Sequence, residues 1–177
     1  HVGELGMDCR YCHANVEKSA IAMIPPTQTC MNCHSLIKTE SAKLEPVRES
    51  WKTGQPVEWV KVHKLPEHAY FSHQAHLGAG VGCVSCHGRV DQMEVVKVSQ
   101  PMGMGWCLEC HRNPEPNLRP RDQVTNMDWK DDPAHPWAKP KVCDTSKMYG
   151  PEAVAVSSSN MAERVLCPPQ NCSGCHR

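Results

Sequence analysis

The sequence predicts a mostly irregular chain of short helices and a few short strands, wrapped around bound groups rather than around an aliphatic core. Three observations carry that expectation. The pattern Cys-x-x-Cys-His occurs five times. The chain holds 15 Pro and 11 Gly among 177 residues, which interrupt long helices and strands. Hydrophobic residues make up 40%, with one Phe, which is thin for a domain of this size unless something else supplies apolar mass.

Ten of the twelve cysteines fall into the five motifs: Cys9, Cys12 and His13; Cys30, Cys33 and His34; Cys83, Cys86 and His87; Cys107, Cys110 and His111; Cys172, Cys175 and His176. This is the c-type haem attachment pattern. Two thiols must reach the two vinyl groups of one porphyrin and close thioethers, and the adjacent imidazole then sits under the iron as proximal ligand. A lone Cys-x-x-Cys reads equally well as a redox dithiol or half a zinc site. Five copies with His always next to the second Cys predict five haem c groups, one per roughly 35 residues. The expected fold class is therefore a multihaem cytochrome c. Its apoprotein is expected to be largely unfolded, because the ligands supply much of the core. Cys143 and Cys167 remain, to be read as a disulfide, as buried thiols or as a contact with a partner chain; an oxidising compartment permits the first.

Along the chain, two units repeat. In the first, His1 precedes a Gly-containing turn and Cys9, and sixteen residues separate His13 from Cys30. In the second, His76 precedes a similar turn and Cys83, and nineteen residues separate His87 from Cys107. Three segments follow: residues 1–62, a first dihaem unit and connector; 63–112, a second dihaem unit; and 113–177, a Pro-rich connector and the last motif. Short helical turns are expected at each motif, since the two thiols and the imidazole must project to one side. Residues 40–51 suit a short helix. Residues 57–65 and 90–98 alternate weakly and are β-branched, which suits short strands. Residues 112–141 read as a loop-like connector, with Trp129, Trp137 and Met127 available to cover a haem face or a partner surface.

A closed iron needs a second axial ligand, and Met there raises the potential relative to His. Six His lie outside the motifs. His73 and His76 are three apart, so a helical turn presents both on one face, toward two neighbouring haems. His1 holds the position before Cys9 that His76 holds before Cys83. His63 sits in an apolar-leaning stretch. These four are the expected distal ligands. His68, beside Glu67, reads as exposed. The fifth distal ligand is left among Met102, Met104, Met161 and His135, with Met104 preferred because its flanking Gly103 and Gly105 allow backbone to approach a porphyrin.

Formal charge is zero, with 19 basic and 19 acidic residues and no basic block, which argues against nucleic acid. No apolar run approaches the length needed to span a bilayer. No separate acid–base constellation accompanies the motifs, and enough His and Met exist to close every iron, which favours electron transfer over a reductase with an open haem.

The stretch from His63 to Arg112, VHKLPEHAYFSHQAHLGAGVGCVSCHGRVDQMEVVKVSQPMGMGWCLECHR with its leading Val62, resembles the pentahaem cytochrome c subunit of bacterial alternative complex III. The stretch from Cys9 to His34 resembles the same subunit, and the FSHQAH segment is also similar to cytochrome c3 and c7 folds. The resemblance implies a quinol-oxidising membrane complex that pairs this subunit with an iron–sulfur subunit and integral membrane subunits. It implies electron delivery to a downstream cytochrome c or another periplasmic acceptor, at the outer face of the bacterial inner membrane. Anchoring would come through those partners or through an N-terminal helix preceding the residues given. A free-standing periplasmic carrier of c3 type is the alternative.

Overall fold

The computed structural model describes residues 1–132, 137–143 and 165–176. Six short helices carry the described chain: α1 Thr27–His34, α2 Glu45–Thr53, α3 His73–Ala79, α4 Cys83–His87, α5 Met104–Arg112 and α6 Cys172–Cys175. Turns of 3-10 helix lie at Cys9–Tyr11, Ala42–Leu44, Val90–Gln92, Glu115–Asn117 and Arg121–Gln123. Each of the five motifs lies on a helix or helical turn. The reason is periodicity: positions i, i+3 and i+4 share one face. Local chemistry stops each helix early. Pro46 starts α2 and a left-handed Gly54 ends it. The Ser72 hydroxyl accepts from the Ala75 N–H at the start of α3, and a left-handed Gly80 closes it.

Only one described sheet exists, a two-stranded parallel pair of β1 Lys141–Val142 and β2 Val165–Leu166. The Cys143–Cys167 disulfide sits at its end, which resolves the reading of those two cysteines. The strands expected at 57–65 and 90–98 do not form. Both runs are mostly exposed, residues 90–92 coil into a 3-10 turn, and neither finds a neighbouring chain to complete a ladder. The helix expected over 40–51 is present but shifted to 45–53, because Pro46 is best placed in a first turn.

Buried hydrophobics are few: Val16, Val47, Leu77, Leu118, Val124 and Met127 among the described residues. Val16, Leu77 and Val124 cluster, with Ala22 and Cys83 against them. Three of the six come from residues 114–128, the stretch expected to be a bare connector. That loop is structural: Val81 bridges Leu118, Arg119 N–H donates to Gly80 O, and Cys83 N–H donates to Val124 O. Among the described residues no helix is long and apolar enough to cross a membrane.

Candidate functional site

Four of the five motif histidines are brought by the fold against histidines from outside the motifs. His34 faces His1 with ring centroids 6.0 Å apart, and His111 faces His76 at 6.0 Å. His87 has His63 at 4.6 Å and His73 at 6.5 Å. His176 has His68 at 5.4 Å. Every one of these imidazole contacts joins a motif histidine to a non-motif one. An iron bound between two imidazoles at about 2 Å from each nitrogen, the length familiar from metal–imidazole bonds, sets the centroids about 6 Å apart. His1–His34 and His76–His111 already have that spacing. The His63–His87 and His68–His176 pairs are closer and need only a small outward movement of the rings.

Hydrogen bonds at the far nitrogen orient most of these rings. His13 Nδ1 donates to Met23 O at 2.8 Å, His34 Nδ1 to Ile37 O at 2.9 Å, and His111 Nδ1 to Pro169 O at 2.6 Å. His176 Nδ1 donates to His68 O at 3.1 Å. Among the non-motif rings, His73 Nδ1 donates to Ala20 O at 2.9 Å and His76 Nδ1 to Ser72 O at 2.8 Å. A carbonyl can only accept, so the proton is on Nδ1 and the lone pair is on Nε2. That is the tautomer a metal ligand needs, and the bond to the carbonyl raises its basicity. His63 Nε2 is buried with no hydrogen-bond partner, as expected of a nitrogen whose partner is a metal.

The electrostatics agree. Burial, with smaller contributions from His63, His73 and His13, pulls His87 down to about 4. Burial also lowers His76. Both rings are therefore neutral near pH 7. Burial pushes the Cys83 and Cys86 thiols up to about 11, so these sulfurs resist ionising. A thioether carries no charge and sits in such a place without penalty, whereas a buried thiolate does not. Among the described residues no group of three or more His, Cys, Asp or Glu is arranged to hold a metal ion alone. A porphyrin, which brings four nitrogens of its own, asks only two more of the protein. A cavity of about 1180 Å³ opens beside His1 and Cys9, between Lys43, Arg89 and Asp91.

Cysteines of different motifs lie near one another: Cys12 near Cys30, Cys83 near Cys9, Cys86 near Cys107 and Cys110, and Cys107 near Cys175. One helix, α3, contributes both His73 and His76. The C-terminal arm folds back on the segment ahead of α3: Ala69 bridges His176 and Tyr70 N–H donates to Cys175 O.

Of the other sequence candidates, Met104 is 67% exposed at the start of α5, and Met102 is half-buried with a left-handed φ of 48°. Met161 and His135 lie outside the described residues. His68 is exposed, as read from its surroundings, yet its ring lies against that of His176. Sequence reasoning passed over it; the signal that could have found it is arithmetic, since five motif histidines call for five partners.

No family model matches the chain. A curated relative is 35% identical over 88 residues, a region that covers 49% of this chain and 41% of the relative: the multihaem cytochrome c subunit of menaquinone reductase from Nitratidesulfovibrio vulgaris strain Hildenborough. The chain thus spans about two fifths of that relative's length in the match. The similarity links the chain to multihaem cytochromes c in general.

Proposed function

We propose that this chain is an electron-relay subunit carrying five c-type haems, working beside a quinone site in a membrane complex. The observation that carries the reading is that four of the five motif histidines, His34, His87, His111 and His176, each lie against a non-motif histidine. The Cys pairs 9 and 12, 30 and 33, 83 and 86, 107 and 110, and 172 and 175 would hold haem through thioethers, with His13, His34, His87, His111 and His176 as proximal ligands. His1 closes the site of His34, His63 that of His87, His76 that of His111 and His68 that of His176. His73, whose ring lies 6.5 Å from that of His87, would be the remaining candidate for His13, and one loop supports both, through Ala20 O and Met23 O. Haem supplies a one-electron Fe(III)/Fe(II) couple. With histidines holding both sides of each iron, no substrate would reach it, and the protein would set distance and potential.

The neighbour relations of the cysteines support a linear order of sites: Cys30, Cys9, Cys83, Cys107, Cys172. The site at Cys83 is the middle one. In the complex, an iron–sulfur subunit and integral membrane subunits would exchange electrons at one end, and a periplasmic cytochrome c or other acceptor at the opposite end, outside the inner membrane. The resemblance to the alternative complex III subunit favours quinol oxidation as the source. The relative's name, a menaquinone reductase, favours the opposite direction. A relay of closed irons has no direction of its own, and adding quinol to the assembled complex distinguishes the two by whether the haems become reduced.

The chain-level test is haem content and spin state after expression with c-type maturation. Five haems per chain by pyridine haemochrome, all low-spin when oxidised, are expected. His68→Ala turns one haem high-spin, whereas Met104→Leu leaves all five low-spin. No covalent haem would sink the reading, and a high-spin centre in Met104→Leu but not in His68→Ala would reverse the last ligand. Purification from native membranes as a lone chain would favour a c3-like carrier over a complex subunit.

A further inference from the structure

Arg119 is 6% exposed, a charged side chain inside a molecule that buries few residues of any kind. Its Nη1 donates to Asn126 O at 2.8 Å, and its Nε is buried with no acceptor. Among the described residues it makes no ion pair, although Arg10 and Arg89 each hold two carboxylates. Burying a cation without a counter-charge costs free energy, so its retention needs a reason.

The backbone builds the place deliberately. Arg119 N–H donates to Gly80 O at 2.8 Å, and Gly82 N–H donates to Asn117 O at 3.3 Å. This lays residues 117–119 along 80–82, directly ahead of α4. A Cβ on Gly82 would lie 2.2 Å from both Cζ and Nε of Arg119. The guanidinium thus packs directly onto the residue immediately before Cys83, in space that a Cβ there would contest. Burial lowers the guanidinium from its ordinary value, with the Cys83 sulfur opposing. Arginine starts so high that it stays charged at neutral pH.

The position relative to the porphyrin follows from covalent chemistry. Propionates leave a porphyrin from the edge opposite its two thioethers. A group packed at Cys83 is therefore at the thioether edge of that haem, away from its propionates. A haem joined at Cys9, which lies near Cys83, would likewise present its thioether edge here. Neither haem would bring a propionate to the guanidinium, and Asp8, the carboxylate near Cys83, is bound to Arg10 and Thr125.

We infer that Arg119 is a fixed, unneutralised positive charge that raises the reduction potential of the haem at Cys83, Cys86 and His87, the middle site of the relay. The inference rests on the five-site reading above. Reduction adds one electron to Fe(III) and gives Fe(II); Arg119 neither gains nor loses a proton, and its charge favours the more reduced iron through a low-dielectric path.

The test is a spectroelectrochemical titration of the five-haem protein and its Arg119→Lys, Arg119→Gln and Arg119→Met variants. In the two neutral variants one midpoint falls by about 59 mV or more, at least a tenfold loss in that haem's reduced-to-oxidised ratio at fixed potential. Arg119→Lys keeps most of the wild-type midpoint. Five unchanged midpoints in a neutral variant that retains five haems overturn the inference and leave the relay reading intact. If the neutral variants fail to mature, a structure of the haem-loaded wild type decides. A propionate or carboxylate oxygen within hydrogen-bond reach of the guanidinium overturns the inference, and its absence upholds an unneutralised charge. A wild type without haem would instead sink the relay reading itself.

Discussion

At the residue scale, the recurring device is a histidine whose Nδ1 is held by a backbone carbonyl. Backbone strain is used to aim two of those carbonyls. Met23, whose carbonyl accepts from His13, has φ 69°, and Lys38, next to the Ile37 carbonyl that accepts from His34, has φ 54°. Left-handed conformations cost non-glycine residues free energy and mark places where the surroundings over-determine the backbone. Asp8 is a second local device. Its carboxylate accepts from Arg10 N and Nε at 2.8 and 2.9 Å and from Thr125 Oγ1 at 3.1 Å, tying the turn that carries Cys9 to the 125 loop. Arg10 holds it down at about 2 against an ordinary value of 3.8. A carboxyl lowered by folding adds stability above its unfolded value, and that stability is lost as pH falls through the folded one. Its contribution is thus full above about pH 4 and gone by about pH 2. Asp8→Asn is expected to lower the melting temperature of the haem-loaded protein at pH 7 and to flatten its fall between those pH values. Parallel melting curves for wild type and variant would refute the role.

At the element scale, the motif-bearing helices are short because each needs only the turn or so that aligns Cys, Cys and His. Their ends are therefore set by caps, and two glycine caps separate conformational cost from packing cost. Gly54 ends α2 at φ 72° with open space where a Cβ would go. Gly80 ends α3 at φ 97° with Arg119 O only 2.5 Å from that Cβ. Gly54→Ala pays only for the left-handed backbone, about 1 kcal/mol. Gly80→Ala adds a clash with backbone that cannot move without breaking the Arg119–Gly80 pairing, for a total of roughly 3 kcal/mol. Thermal melts of the two holoproteins should show the larger drop for Gly80→Ala, by several degrees; equal drops would mean that the 117–119 pairing carries no load.

At the scale of the whole molecule, the described residues bury only a small aliphatic set against the entropy of ordering them. Exposed apolar side chains such as Ile21, Leu36, Val60 and Val95 line the segments around the motifs, where haem faces would cover them. The chain produced without haem, by replacing the ten motif cysteines with alanine, is expected to show little helical circular dichroism and no cooperative melt. A cooperative melt with helix content near that of the holoprotein would show that the polypeptide carries its own core.

The sequence by itself determined the chemistry that is strictly local. Cys-x-x-Cys-His places its own three groups on one helical face, and His73 and His76 share a turn, so those features need no tertiary information. By sequence alone Cys143 and Cys167 suit a disulfide, buried thiols or a contact with a partner chain, and the fold joins them. Which histidine meets which motif was decided only by the tertiary structure, because partners such as His68 and His176 are brought together by an arm returning over a hundred residues of chain. The same is true of Arg119. In sequence it is one basic residue in a Pro-rich connector; its burial against Gly82 comes from pairing between 117–119 and 80–82, which no local pattern encodes. The β-branched runs at 57–65 and 90–98 show the converse: strand propensity without a neighbour to bond leaves an extended chain, because a ladder is a property of two segments and not of one.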